Sequence, residues 1–144
     1  MTLIRKAKAN DLKKVSVIFR TEFGKSPYHE RWSEKRAIKK IREYYKDNLI
    51  FVMEVEKEVV GFIIGSLNTW DDGIRGIIDE VVVSSKFQGK GYGTKLIKHF
   101  ENFLKKKGVK KLSLFSFTKS KAFKLYKKLG FKKEDFVSMI KKLK

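Results

Sequence analysis

The chain has 144 residues, with 35 Lys and Arg against 16 Asp and Glu, for a formal net charge of +19. It holds no cysteine and only two histidines, which excludes disulfides, thiolate nucleophiles and iron–sulfur clusters and leaves no convincing metal-ligand set. Hydrophobic residues make up 42% and aromatics 13%, so a single folded domain over residues 1–144 is expected rather than a disordered polycation.

The elements follow in chain order. Leu3-Ile4-Arg5-Lys6-Ala7-Lys8 reads as a first strand. Asn10 or Asp11 is placed to cap a helix in which Leu12, Val15, Ile18 and Phe19 recur at helical spacing, ending near Gly24. Ser33 is the expected N-cap of a second helix carrying Ala37, Ile38, Ile41, Tyr44 and Tyr45. Residues 49–55 and 59–67 form a hairpin about Glu56-Lys57-Glu58. Residues 68–76 read as a polar loop and residues 77–83 as a buried strand. A glycine-rich stretch over residues 88–94 precedes an amphipathic helix with Leu96, Ile97, Phe100, Phe103 and Leu104, stopped at Gly108. A strand over 109–117 and a helix with Ala122, Phe123, Leu125, Tyr126 and Leu129 come next, the helix stopped at Gly130. A final strand is expected within 131–143. The order is β-α-α-β-β-β-α-β-α-β, a mixed α/β layer fold.

No apolar run approaches the roughly 20 residues of a membrane span, and residues 1–10 lack a signal-peptide core. A cytoplasmic protein without a membrane partner is expected. The charge is uneven: residues 1–84 carry +3 and residues 85–144 carry +16. Nucleic acid, an anionic cofactor and a lysine-rich proteome are all consistent with that excess.

Gln88-Gly89-Lys90-Gly91-Tyr92-Gly93-Thr94 follows the buried strand and opens a helix. Three glycines allow close backbone approach, and a helix N-terminus attracts phosphate or pyrophosphate. Lys86 and Lys90 add charge. The spacing is neither a Walker A loop nor the G-x-G-x-x-G dinucleotide fingerprint.

This stretch resembles the Arg/Gln-x-x-Gly-x-Gly/Ala loop of GNAT-type N-acetyltransferases, which bind acetyl-coenzyme A. Ile78-Asp79-Glu80-Val81-Val82-Val83 is similar to that family's central strand. Ala122-Phe123-Lys124-Leu125-Tyr126-Lys127-Lys128-Leu129-Gly130-Phe131 is similar to its A-x-x-x-Y-x-x-x-G-F signature. The resemblance implies a central mixed sheet of about six to seven strands flanked by about four helices. It also implies acetyl-CoA as cosubstrate, no metal, and a primary amine on a small molecule or protein as acceptor, with direct transfer in a ternary complex. A homodimer is one assembly it suggests.

Carried over by motif, Gln88, Gly89, Lys90, Gly91, Tyr92, Gly93 and Thr94 would hold the pyrophosphate. Val81 and Val83 would bind the pantetheine arm through their backbone. Lys119 stands where many relatives have Asn, so it would meet a phosphate or stay solvated. Tyr126 would protonate the leaving thiolate. Asp79 and Glu80 are the candidate bases, because an apolar strand raises a carboxylate's pKa. Strand alternation puts these two on opposite faces. Acceptor contacts would come from Tyr28 and Trp32, with His29 a loop residue, and from Trp70 and Asp71. His99 is expected on an exposed helix flank.

Two other functions compete. A basic nucleic-acid-binding module would use the lysine pairs of the second half, although no groove-reading motif is present and no specific nucleic-acid site is expected. An acyl-CoA sensor would bind the cosubstrate without turnover.

Overall fold

The computed structural model describes residues 1–143. Its five-stranded sheet has the order β1-β2-β3-β4-β5, built from β1 (Thr2–Lys6), β2 (Leu49–Val55), β3 (Glu58–Trp70), β4 (Gly73–Val83) and β5 (Lys111–Leu114). The first four strands run antiparallel to their neighbours, whereas β4 and β5 are parallel. Four helices flank the sheet: α1 (Leu12–Phe23), α2 (Glu34–Asp47), α3 (Tyr92–Lys106) and α4 (Lys121–Lys128). The mixed α/β class and the element order hold through α4.

The sheet separates two apolar layers. On one face Val15, Ile18 and Phe19 of α1 and Ala37 and Ile41 of α2 pack on Val52, Phe62, Ile64 and Val82. On the other, Leu96, Ile97, Phe100 and Leu104 of α3 pack on Met53, Ile63 and Ile78, with Leu125 and Tyr126 of α4 alongside. Gly65 makes the second layer possible, since a Cβ there would overlap the Phe100 ring.

Several boundaries have local causes. Ser33 caps α2 by accepting from Arg36 N at 3.1 Å, and Ser120 caps α4 by accepting from Phe123 N at 3.3 Å. Gly108 and Gly130, at φ 78° and 97°, stop α3 and α4 as left-handed residues.

Four expectations are corrected. The first concerns the strand within 131–143. No regular element follows α4 among the described residues, and Phe136, Val137, Met139 and Ile140 lie exposed. Their β-prone composition alone does not make a strand, and the sheet has five strands rather than six or seven. The polar loop over 68–76 is instead a tight turn, because β3 and β4 pair up to Trp70 and Gly73. Asp11 is the N-cap of α1 by position but makes no side-chain bond to the amides of that helix. It accepts from the Arg5 guanidinium at 2.8 Å and 3.0 Å and from Lys8 N at 2.7 Å. His99 is half-buried with its ring edge-on to Phe51 at 4.9 Å, and burial lowers its pKa.

Candidate functional site

The site begins where two parallel strands part. β4 and β5 pair only from Arg75 with Lys111 to Ile78 with Leu114. Beyond Ile78, β4 continues to Val83 bonded to β3 alone, through pairs such as Val81 with Ile63 and Val83 with Gly61. Its other edge is unpaired there, and unpaired strand edges bind extended chains. The opening is a cleft lined by Phe23, Tyr28, Asp79, Glu80, Phe117 and Tyr126, among others.

Asp79 and Glu80 face the same way, contrary to simple alternation. The register against β3 runs from Ile64 with Glu80 to Gly65 with Ile78, so Asp79 is an extra residue in β4. This β-bulge cancels one alternation and turns both carboxylates toward α2. There Tyr44 Oη donates to Glu80 Oε2 at 3.0 Å and Asn48 Nδ2 donates to Asp79 Oδ2 at 2.8 Å. Neither carboxylate has a cation within salt-bridge distance among the described residues.

That environment sets their acidity. Burial pushes Glu80 up to about 7, with Glu30 and Asp79 adding to the rise and Tyr44 and Lys40 opposing it. Burial also raises Asp79, opposed by Ser66, Asn48 and Lys40. Tyr126, across the cleft, is raised mainly by burial and then by Tyr28 and Glu80, so its phenol keeps its proton at neutral pH. A carboxylate half-protonated near neutrality therefore shares one cleft with a phenol that can donate.

The glycine loop lies just beyond β4. Gly89 and Gly91 have φ of 78° and 81°, and a Cβ at either would meet nothing within 4 Å. The backbone thus curves around open space. Gly91 is the N-cap of α3 and offers no side chain to its amides, which leaves the first turn of a 15-residue helix uncapped by side chains. These features suit an anion such as a pyrophosphate.

The base of the loop is tied down. Gln88 Nε2 donates to Val83 O at 2.7 Å, while Ser85 Oγ and N donate to Glu22 of α1 at 2.8 Å and 3.2 Å. The Gln88 side chain therefore fixes the loop to β4. Lys90 rests 5.7 Å from the centre of the Phe87 ring.

The remaining candidates separate. Tyr28 lines the cleft and packs edge-on against Phe23 at 4.8 Å and Phe117 at 6.0 Å. Trp32 packs on Phe19 at 4.9 Å and donates to Glu30 at 2.6 Å, so its ring serves the core. Trp70 and Asp71 sit at the β3–β4 turn, on the far side of the paired part of β4 from the carboxylates. His29 and Lys119 are exposed. Sequence reasoning missed Tyr44, Asn48 and Glu22. Tyr44 counted only as part of an apolar helical stripe, and its four-residue spacing from Lys40 and Asn48 was the available signal.

The acetyltransferase (GNAT) family model matches residues 3–131. An uncharacterized N-acetyltransferase of Methanocaldococcus jannaschii is 32% identical over 112 residues, covering 74% of this chain and 47% of that protein. An uncharacterized N-acetyltransferase of Pyropia yezoensis is 31% identical, covering 69% of this chain and 58% of that protein. The chain thus spans about half the length of the curated relatives it matches. Among solved structures, one from Clostridium difficile 630 described as a possible acetyltransferase superposes with a TM-score of 0.85 at 18% identity, covering 99% of this chain and 98% of that one. At that identity the likeness concerns the fold alone.

Proposed function

This chain belongs to the GNAT family of acetyltransferases, and from that premise we propose that it transfers an acetyl group from acetyl-CoA to a primary amine in one ternary complex. The observation that carries the reading is one cleft that holds the unpaired β4 edge together with Glu80 and Tyr126, with the uncapped N-terminus of α3 following β4 in the chain.

The residues present fit acetyl-CoA, which supplies the acyl group already activated as a thioester. Backbone of Gly89, Lys90, Gly91, Tyr92, Gly93 and Thr94 would hold the pyrophosphate, aided by the helix field. The free edge at Val81 and Val83 would receive the pantetheine amides. Lys119 is exposed, so its part would be electrostatic.

Acceptor chemistry falls to the opposite wall. Amines are protonated at neutral pH, and only the neutral form attacks a carbonyl. Glu80, directly or through a water, takes the proton the amine gives up. Asp79, held by Asn48, adds negative potential that draws a cation in. Tyr126 gives its proton to the sulfur as the carbon–sulfur bond breaks and the carbon–nitrogen bond forms. Tyr28 forms the acceptor entrance. Trp32, Trp70 and Asp71 have no acceptor contact in this reading.

Thermal shift tests the core of this reading. Acetyl-CoA should raise Tm with the logarithm of its concentration above Kd, the stabilisation reaching about 2.7 kcal/mol at a hundredfold excess over Kd. Gly91→Val, a β-branched residue forced to positive φ, should abolish the shift. Absence of any shift with wild-type protein at millimolar acetyl-CoA would sink the proposal. A free-thiol assay across small amines, polyamines and peptide N-termini then identifies the acceptor class.

A further inference from the structure

The inner face of α2 carries a polar ladder that the family resemblance did not bring out. Lys40, Tyr44 and Asn48 recur every fourth residue, so they line one side of the helix and its C-cap. Two of the three bond directly to the consecutive carboxylates of β4, Tyr44 to Glu80 and Asn48 to Asp79. The third, Lys40, lies over the Tyr44 ring at 4.8 Å from its centroid.

We infer that Tyr44 is a positioning residue for the proton-accepting carboxylate, its hydroxyl holding Glu80 Oε2 against α2 so that the other oxygen is left for the amine or its water. The inference rests on Glu80 acting as the base.

Three observations support it. The bond is the only hydrogen bond that Glu80 receives from a side chain among the described residues. Burial first, and then Glu80, push the Tyr44 phenol above its ordinary value, so the hydroxyl remains a donor throughout the working pH range. Glu80 pairs in register with Ile64, which packs on the α1/α2 layer, so the backbone itself turns Glu80 toward α2 and the side-chain bond acts with it. The charged and titratable groups facing Glu80 are Asp79 on β4, Lys40 and Tyr44 on α2, Glu30 between α1 and α2, and Tyr126 on α4. Only Tyr44 and Lys40 favour its ionised form.

Removing the Tyr44 hydroxyl therefore makes Glu80 harder to ionise. Tyr44→Phe keeps the ring and its packing. The acid limb of kcat/KM against pH should move upward by roughly one unit, the equivalent of one charge-assisted hydrogen bond. Turnover should fall about tenfold at pH 6 and recover toward wild type at pH 9. KM for acetyl-CoA should stay constant. Tyr45→Phe, on the exposed neighbour, should leave the profile unchanged.

A second readout does not need turnover. In 13C-labelled protein the Glu80 carboxyl midpoint should rise in Tyr44→Phe. An unmoved midpoint, or an unmoved acid limb, overturns the positioning role. If no amine is acetylated by wild type but the midpoint moves, the acetyl-transfer reading fails and the Tyr44–Glu80 coupling stands.

Discussion

Carboxylates are withdrawn from water in two regions of this molecule, and the two differ in what stands beside them. Near the N-terminus Asp11 and Glu54 share one guanidinium. Arg5 reaches Asp11 at 2.8 Å and Glu54 at 2.6 Å. Asp11 is held below its ordinary value chiefly by that hydrogen bond. On β4, Asp79 and Glu80 are half-buried and meet an amide and a phenol instead of a cation, and both are raised. Burial acts the same way in both places, so the partner decides the sign. A paired carboxylate stays charged and ties elements together, whereas an unpaired one becomes able to exchange a proton near neutrality.

The sharpest way to break this contrast is to replace each carboxylate system in turn. Glu80→Gln keeps the shape and can still accept from Tyr44, but it cannot take a proton. Turnover should fall by 10²–10⁴-fold, the range for loss of a general base, with acetyl-CoA affinity unchanged by thermal titration. Near-normal turnover would assign the proton to water alone. Arg5→Ala makes the opposite cut. It leaves Asp11 and Glu54 without their cation and should cost about 2–3 kcal/mol of folding stability by urea denaturation, below the figure for a fully buried pair because Arg5 retains some solvent contact. Its acetyl-transfer rate per folded molecule should not change. Because Asp11 has a depressed pKa, its contribution is in place above pH 3.8 and fades as pH falls further. The gap between wild type and Arg5→Ala should therefore narrow in acid.

The same contrast explains what could be read in advance. Gly108, Gly130 and the loop glycines act through their own backbone and Ser33 through a hydroxyl on its own helix, and local chemistry of that kind shows in a sequence. The Asp79-Glu80 pair also stood out, as two charges in an apolar run. What could not be seen was their common orientation. It depends on a bulge whose existence is a fact about pairing with Ile64 and Gly65, fifteen residues or so away in the chain. Tyr44 was hidden for a related reason, since an aromatic on a helical stripe reads as core until the strand opposite is known to carry a carboxylate. Trp32, read as an acceptor contact, packs on Phe19. The strand expected within 131–143 is not formed, because β propensity is set by context more than by the residues themselves.

The smallest expected effect is thermodynamic, and it separates the two regions most directly. Glu80 has a folded-state pKa of about 7 against an ordinary value of 4.5. A raised acid binds its proton more tightly in the folded state, so folding is favoured at low pH and penalised as pH rises through the interval between those values. Above pH 7 the penalty is complete. Glu80→Gln removes it. The variant should thus gain Tm at pH 8 and almost nothing at pH 4, in a protein whose activity it has largely abolished. Asp11→Asn should do the reverse, losing stability at pH 8 and progressively less as pH falls below 3.8, because the bond to Arg5 is strongest in the charged form. If both variants lost stability at pH 8, Glu80 would be a structural carboxylate like Asp11, and its lack of a neighbouring cation would carry no functional meaning. A gain for one and a loss for the other, measured in the same buffer, would mean that β4 holds its acid at a cost in stability, the pattern expected of a group kept for proton transfer rather than for folding.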